Sequence, residues 1–254
     1  MSDRIPPASF EQVSSLPSKP PTLVEGLPGH GLVAAIAVDQ LTEQLALDHC
    51  GNIASDDFPP VVTFENGRVQ DLVRVYADSD PAVMTIESDL ALPPAAFGPL
   101  ARCVLEDLAD EFERGVFLAG APAESEEQIG EVTGVATTAE IEADLVDAGI
   151  AVPDEPGIVG GVTGALVREC YQADVPAALL IVRSHPFLPD PGAAKAVIET
   201  ALEPLVDFDV DTTALDEEAE EIRRQMRQVA EQYQQMADEG GQRPDGPRPA
   251  GMYQ

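Results

Sequence analysis

The sequence predicts an α/β fold: a single domain with a central mixed, mostly parallel sheet flanked by helices, then a polar C-terminal helix and a flexible tail. Three observations predict it. Short apolar runs alternate with segments whose apolar residues recur at helical spacing. Two glycine-rich turns, LPGHG (27–31) and GIVGG (157–161), each lead into a helical pattern. AALLIVRS (177–184) is a continuous apolar run, the best candidate for a central strand buried on both faces.

The elements follow in order. Residues 1–20 are polar and proline-rich and read as a flexible N-terminal arm. PTLVEG (21–26) is a short buried strand; LVAAIAVDQLTEQLAL (32–47) is a helix with Leu32, Ile36, Leu41 and Leu45 at helical spacing. GNIASDDFPP (51–60) reads as a turn. VVTFENGRVQ (61–70) is a hairpin, because Asn66-Gly67 supplies two residues that tolerate positive φ. LVRVYAD (72–78) and AVMTIES (82–88) are strands. PPAAFGPLARCVLEDLADEFE (93–113) is a helix with prolines in its first turn. GVFLAGA (115–121) and EVTGVATT (131–138) are strands, the second followed by a short acidic helix that stops at Gly149. The helix over 156–172 precedes the strand 177–184. Asp190-Pro191 then opens another helix, the acid capping it and the proline lacking a redundant N–H. The last element, DEEAEEIRRQMRQVAEQYQQM (216–236), is polar, with only Ile222, Met226, Val229 and Tyr233 as an apolar stripe. The domain is therefore expected over 21–213, a C-terminal helix over 214–237 and a tail over 238–254.

Composition bounds the function. The formal net charge is −32, from 46 Asp and Glu against 14 Lys and Arg, and the acids are spread along the whole chain. Lys19 and Lys195 are the only lysines. This composition is similar to that of halophilic, archaeal cytoplasmic proteins. At molar salt the Debye length falls to about 3 Å and screens the self-repulsion. A mimic of nucleic acid is the alternative reading of so many acids. Nucleic-acid binding is not expected, because no basic stripe exists to neutralise phosphates. Cys50, Cys103 and Cys170 are far apart with no metal-ligand spacing, and read as buried thiols in a reducing compartment. The opening MSDRIPPASFEQ lacks the basic start and apolar run of a leader, and no run of eighteen apolar residues could span a membrane.

Chemistry-bearing motifs are few. The loop Gly26–Gly31 could cradle a phosphate, yet it lacks the lysine and hydroxyl of a P-loop and does not match G-x-G-x-x-G. Its glycines otherwise permit a tight turn and close helix–sheet contact. His30 and His185 each follow a strand, where α/β enzymes place general bases, and each could equally shape a turn. The acidic run 124–131 reads as a solvated loop or a loose cation site. No catalytic residue, metal ligand or cofactor site is assigned.

Taken in order, PTLVEGLPGHGLVAAIAVDQL (21–41), GNIASDDFPP (51–60), GIVGGVTGALV (157–167) and the helix opening DPGAA (190–194) resemble the proteasome assembly chaperone (PAC) family. Its most specific motif is the apolar strand and glycine turn carrying Gly26, Pro28, Gly29 and Gly31; Gly160, Gly161 and Gly164 carry a second. The resemblance implies a homo-oligomeric α/β protein, distantly similar in fold to nucleoside phosphorylases. It also gives meaning to the last residues, Met252-Tyr253-Gln254, because some archaeal members end in a hydrophobic residue, tyrosine and any residue. In those members the ending inserts between α-subunits of the 20S proteasome ring. Tyr253 brings an apolar body with a hydroxyl, and Met252 a side chain that adapts to a groove. Gln254 would bring a carboxylate suited to a lysine or a nest of N–H groups. The spacer 238–251 reaches about 45 Å extended and about 20 Å as a coil, enough for several tails of one oligomer to dock together. The implied function is that of a non-enzymatic assembly chaperone, adaptor or activator. A small-molecule enzyme built around the Gly26–Gly31 loop is the alternative.

Overall fold

A computed structural model describes residues 7–225. Residues up to Asp216 form one compact unit, built on an eight-stranded mixed sheet. The strands are β1 (Ala8–Gln12), β2 (Thr22–Gly26), β3 (Asp48–Ser55), β6 (Val73–Ser79), β7 (Ala82–Ser88), β8 (Arg114–Pro122), β9 (Val132–Ala136) and β10 (Ala177–Ser184). A separate two-stranded hairpin, β4 (Thr63–Glu65) and β5 (Arg68–Gln70), interrupts the numbering. The order across the main sheet is β1-β3-β6-β7-β2-β8-β10-β9. Strands β7, β2, β8 and β10 run parallel and form the centre. All other neighbours pair antiparallel, and these pairs outnumber the parallel ones. The sheet is thus mixed, as expected, but parallel only at its centre.

Helices cover both faces. α2 (Pro94–Asp107) and α4 (Gly161–Gln172) pack on one face, where Leu100, Val104 and Leu166 meet Leu23, Met84, Ile86 and Phe117. α1 (Val33–Gln44), α3 (Ala139–Asp147) and α5 (Pro191–Val197) pack on the other, where Val38, Leu41, Leu145 and Val197 meet Val24, Val116, Leu118 and Leu180. Two buried layers explain why β2 is buried at every position. They also explain why its sequence carries no alternation. α5 continues through a π-turn at Ile198–Leu202 into Glu203–Val206, burying Ile198, Ala201, Leu202 and Leu205. Residues 213–225 are helical.

Local signals act where expected. Asn66 and Gly67 take φ of 50° and 77° at the tip of the hairpin. Asp190 accepts a hydrogen bond from the Ala193 N–H and caps α5. Gly149 ends α3 at φ 77°. Two expectations are corrected. Part of the N-terminal arm is a strand: β1 pairs with β3 and lays Phe10 over Gly51, where a side chain would collide with the ring. The segment read as a turn from residue 51 belongs to β3 up to Ser55. The run AALLIVRS forms β10, flanked on both sides but only one strand in from the edge. The three thiols are free and buried, and burial pushes them up, Cys50 to about 11 and Cys103 and Cys170 to about 12. Among the described residues no helix is long and apolar enough to cross a membrane.

Candidate functional site

The carboxyl ends of the central strands are where the two glycine motifs meet. β2 leads through α1 to β3 on one side of the sheet, and β8 leads towards β10 on the other. Neighbouring strands whose connections leave in opposite directions open a crevice, and α/β proteins place function there. Here the loop after β2 covers that crevice. Gly26 lets α1 lie directly on the strand end: a Cβ there would sit 2.5 Å from Val38 Cβ. Gly31 turns the chain at φ 64°, and a Cβ there would stand 2.5 Å from Ser184 Oγ. The Gly31 carbonyl accepts a hydrogen bond from Asp190 N–H at 2.9 Å, tying the loop to the start of α5. Gly120 on β8 passes beneath the His30 carbonyl oxygen, leaving no room for a methyl.

One side chain joins the two motifs, and the residue pattern had pointed past it. Glu25 is fully buried in β2. Its carboxyl accepts from Leu27 N–H at 3.2 Å and Leu118 N–H at 3.4 Å. Thr163 of α4 approaches the same carboxyl at 3.2 Å. Thus the GLPGHG loop, strand β8 and the GGVTG helix start all converge on one acid. Burial dominates over these hydrogen bonds and pushes Glu25 up to about 8. An acid in a five-residue apolar strand is the sequence signal that could have found it.

Pro28 also lines a cleft on the α1 side of the sheet, of about 410 Å³, together with Leu32, Ile36, Arg74, Glu87 and Asp89. Arg74 is buried, and its guanidinium donates to both oxygens of Asp89, at 2.5 and 3.1 Å, and to the Tyr76 hydroxyl and the Asp71 carbonyl. Arg74 holds the Asp89 carboxyl below its ordinary range. Glu87 accepts from Thr42 and Thr85, and burial pushes it up to about 7.

The histidines do not form a pair. His30 Nε2 is buried without a hydrogen-bond partner, as is Ser184 Oγ. His185 instead accepts from the Phe187 N–H at its Nδ1, while its own N–H donates to Asp190. A phosphate is poorly served by the loop, because Leu27 N–H already serves a carboxyl. Among the described residues no group of three or more His, Cys, Asp or Glu could hold a metal ion. Gly29, Gly160 and Gly161 have no heavy atom within 4 Å of where a Cβ would stand, and Gly164 sits against the Val159 carbonyl. Met252, Tyr253 and Gln254 lie outside the described residues.

With this geometry in hand, the likeness to known proteins can be placed. The PAC2 family matches residues 23–230. An uncharacterised protein of Methanocaldococcus jannaschii, MJ0106, is 28% identical over 228 residues, 89% of this chain and 92% of that protein. Pyrococcus furiosus PbaA, an archaeal homologue of proteasome-assembly chaperone, superposes with a TM-score of 0.79 at 27% identity, covering 91% of this chain and 95% of PbaA. P. furiosus PbaB, an archaeal proteasome activator, shares the fold with a TM-score of 0.78 at 22% identity, covering 89% of this chain and all of PbaB. The matched span takes in β2, the crevice loop, the buried Glu25 junction and α4 through α5, so the chain belongs to the PAC2 family.

Proposed function

We propose that this protein is a non-enzymatic proteasome partner, an assembly chaperone or an adaptor or activator, which docks on the α ring of the 20S proteasome through Met252-Tyr253-Gln254. The observation that carries the reading is the likeness to PbaA over 91% of the chain at 27% identity. The chemistry of the crevice supports the non-enzymatic part. Its buried acid is held among hydrogen-bond donors, its histidine nitrogen is sealed, and the thiols are pushed away from the reactive thiolate. Deleting residues 252–254 is expected to abolish co-migration with 20S particles in molar salt while the apparent mass of the free protein stays unchanged. Undiminished co-migration of the truncated chain would refute docking through the tripeptide.

The protein works as a homo-oligomer in the cytoplasm of a halophilic archaeon under this reading, so that several tails can engage one ring. Strong net charge of one sign disfavours self-association in dilute buffer, and molar salt removes that obstacle. The hairpin β4–β5 supplies a surface. Phe64 and Val69 face each other across it and, with Val62, are each more than 70% exposed. An isolated two-stranded hairpin with one apolar face is marginal unless something covers it. Replacing Phe64→Ser together with Val69→Ser is expected to shift the mass measured by light scattering in molar salt towards the 26.9 kDa monomer. An unchanged oligomer would place the self-contact elsewhere.

A further inference from the structure

The cleft beside α1 combines features that a structural ion pair does not need. Its wall is largely apolar: Leu32, Ala35 and Ile36 from the loop and α1, and Leu90 and Ala91 after β7. Its volume of about 410 Å³ suits a small organic ligand. Its floor carries Glu87, only 9% exposed. Glu87 Oε1 is engaged by Thr42 and Thr85. No described residue hydrogen-bonds Oε2. Charge in the cleft is unbalanced. Asp39, Glu87 and Asp89 face one base, Arg74, and Arg74 is committed to Asp89 through both oxygens. A buried carboxylate oxygen without a partner, at the bottom of an apolar cleft with surplus negative charge, calls for a cationic donor with an apolar stem.

We propose that this cleft binds a primary aliphatic ammonium, with Glu87 Oε2 as its acceptor, Asp39 adding to the field, and Leu32, Ile36 and Leu90 holding the alkyl stem. The ammonium has three donors and no acceptor, which fits a site whose accessible polar atoms are carboxylate oxygens. It is compact enough to reach Glu87 past the Arg74–Asp89 pair. An anion would meet the unpaired carboxylate and is rejected.

The site carries its own signature in pH. Burial, reinforced by the charge of Asp39, holds the Glu87 proton up to about pH 7, opposed by the Thr42 hydrogen bond and the Arg74 charge. The other groups that face it are Tyr76, pushed up by burial, Asp89, held low by Arg74, and the Thr85 hydroxyl. An ammonium binds the ionised carboxyl. Affinity is therefore expected to rise up to tenfold per pH unit below about 7, then level off, with a proton released on binding at pH 6.5. Carboxylates exposed on the surface titrate near 4 and give no such rise.

The test is calorimetric titration of the full chain in molar KCl with pentylammonium, in two buffers of different ionisation enthalpy at pH 6.5 and again at pH 8. Saturable binding with proton release is expected, and pentanol should give none. Glu87→Gln keeps the shape and is expected to weaken binding at least tenfold and abolish the proton release. Ala35→Phe fills the cleft without changing any charge and is expected to abolish saturable binding; circular dichroism checks that both variants are folded. Nα-acetyl-lysine methylamide separates the sources. Binding equal to that of pentylammonium would mean a lysine side chain of a partner, and much weaker binding a free amine. Equal heats for the wild type and Ala35→Phe would mean attraction to the acidic surface at large and would overturn the site, as would equal binding of pentanol. Neither failure bears on docking through the C-terminal residues.

Discussion

Replacing Glu25 with glutamine is expected to stabilise the protein at pH 8 and to flatten the dependence of its stability on pH. In the unfolded chain Glu25 ionises near its ordinary 4.5, and in the folded protein near 8. Between those values the folded state keeps a proton that the unfolded state has released. The stability conferred by the neutral acid is complete below about 4.5 and is lost as pH rises through 8. Summed from pH 5 to pH 8, this amounts to roughly 4 kcal/mol, or about 10 °C in the midpoint of a chain of this size. Glutamine fits the same space, still accepts from the Leu27 and Leu118 N–H groups and carries no charge to desolvate. Unfolding midpoints in molar KCl at pH 5, 6, 7 and 8 check it. The two proteins should nearly coincide at pH 5 and diverge towards pH 8. Glu87, raised to about 7, leaves the variant a residual slope of the same sign. Parallel curves for the two proteins would mean that Glu25 ionises alike in both states.

Gly120→Ala is expected to be the most damaging single methyl. The added carbon would overlap the carbonyl oxygen of His30. Neither partner can yield easily. Residue 120 is held in β8 against Val182 of β10, and the loop is tied at Gly31 to Asp190. Overpacking of this kind costs about 3 kcal/mol, or 6–12 °C in the midpoint. Gly29→Ala is the matched control. It lies one residue from His30 in the same loop, at φ −135°, and its Cβ would meet nothing within 4 Å. It should change stability by no more than about 0.5 kcal/mol. If both variants melt together, the close passage of the loop over β8 is not a constraint on the fold.

What could be read from residues, and what could not, follows from how far each signal reaches. The hairpin at Asn66-Gly67 and the cap at Asp190 were legible because donor, acceptor and backbone requirement lie within a few residues of each other. The buried strands β2 and β10 were legible because a strand covered on both faces has no polar alternation to hide it. β1 and β3 were missed because only Ala8 of β1 is buried, and β3 opens with exposed Asp48 and His49. The glycine that Phe10 needs is 41 residues away in β3, from 51 minus 10. Glu25 escaped for the same reason on a larger scale. Its partners Leu118 and Thr163 stand 93 and 138 residues further on. The direction of strand pairing is set by the length and route of connections, so the antiparallel majority left no trace in composition. The C-terminal Met-Tyr-Gln was legible only through family resemblance, since no local physics marks three residues on a polar tail.

The place of β2 also bears on how the chain is made. Thr22–Gly26 is the first strand of the parallel centre to leave the ribosome, yet its neighbours are Val83–Glu87 and Arg114–Phe117. Thr22 and its partner Arg114 are 92 residues apart (114 − 22). At about 5–20 residues per second, an apolar segment that ends up wholly buried waits roughly 5–20 s for its second flank. The protein destined, on our reading, to attend the assembly of another particle is itself exposed to mispairing for most of its own synthesis.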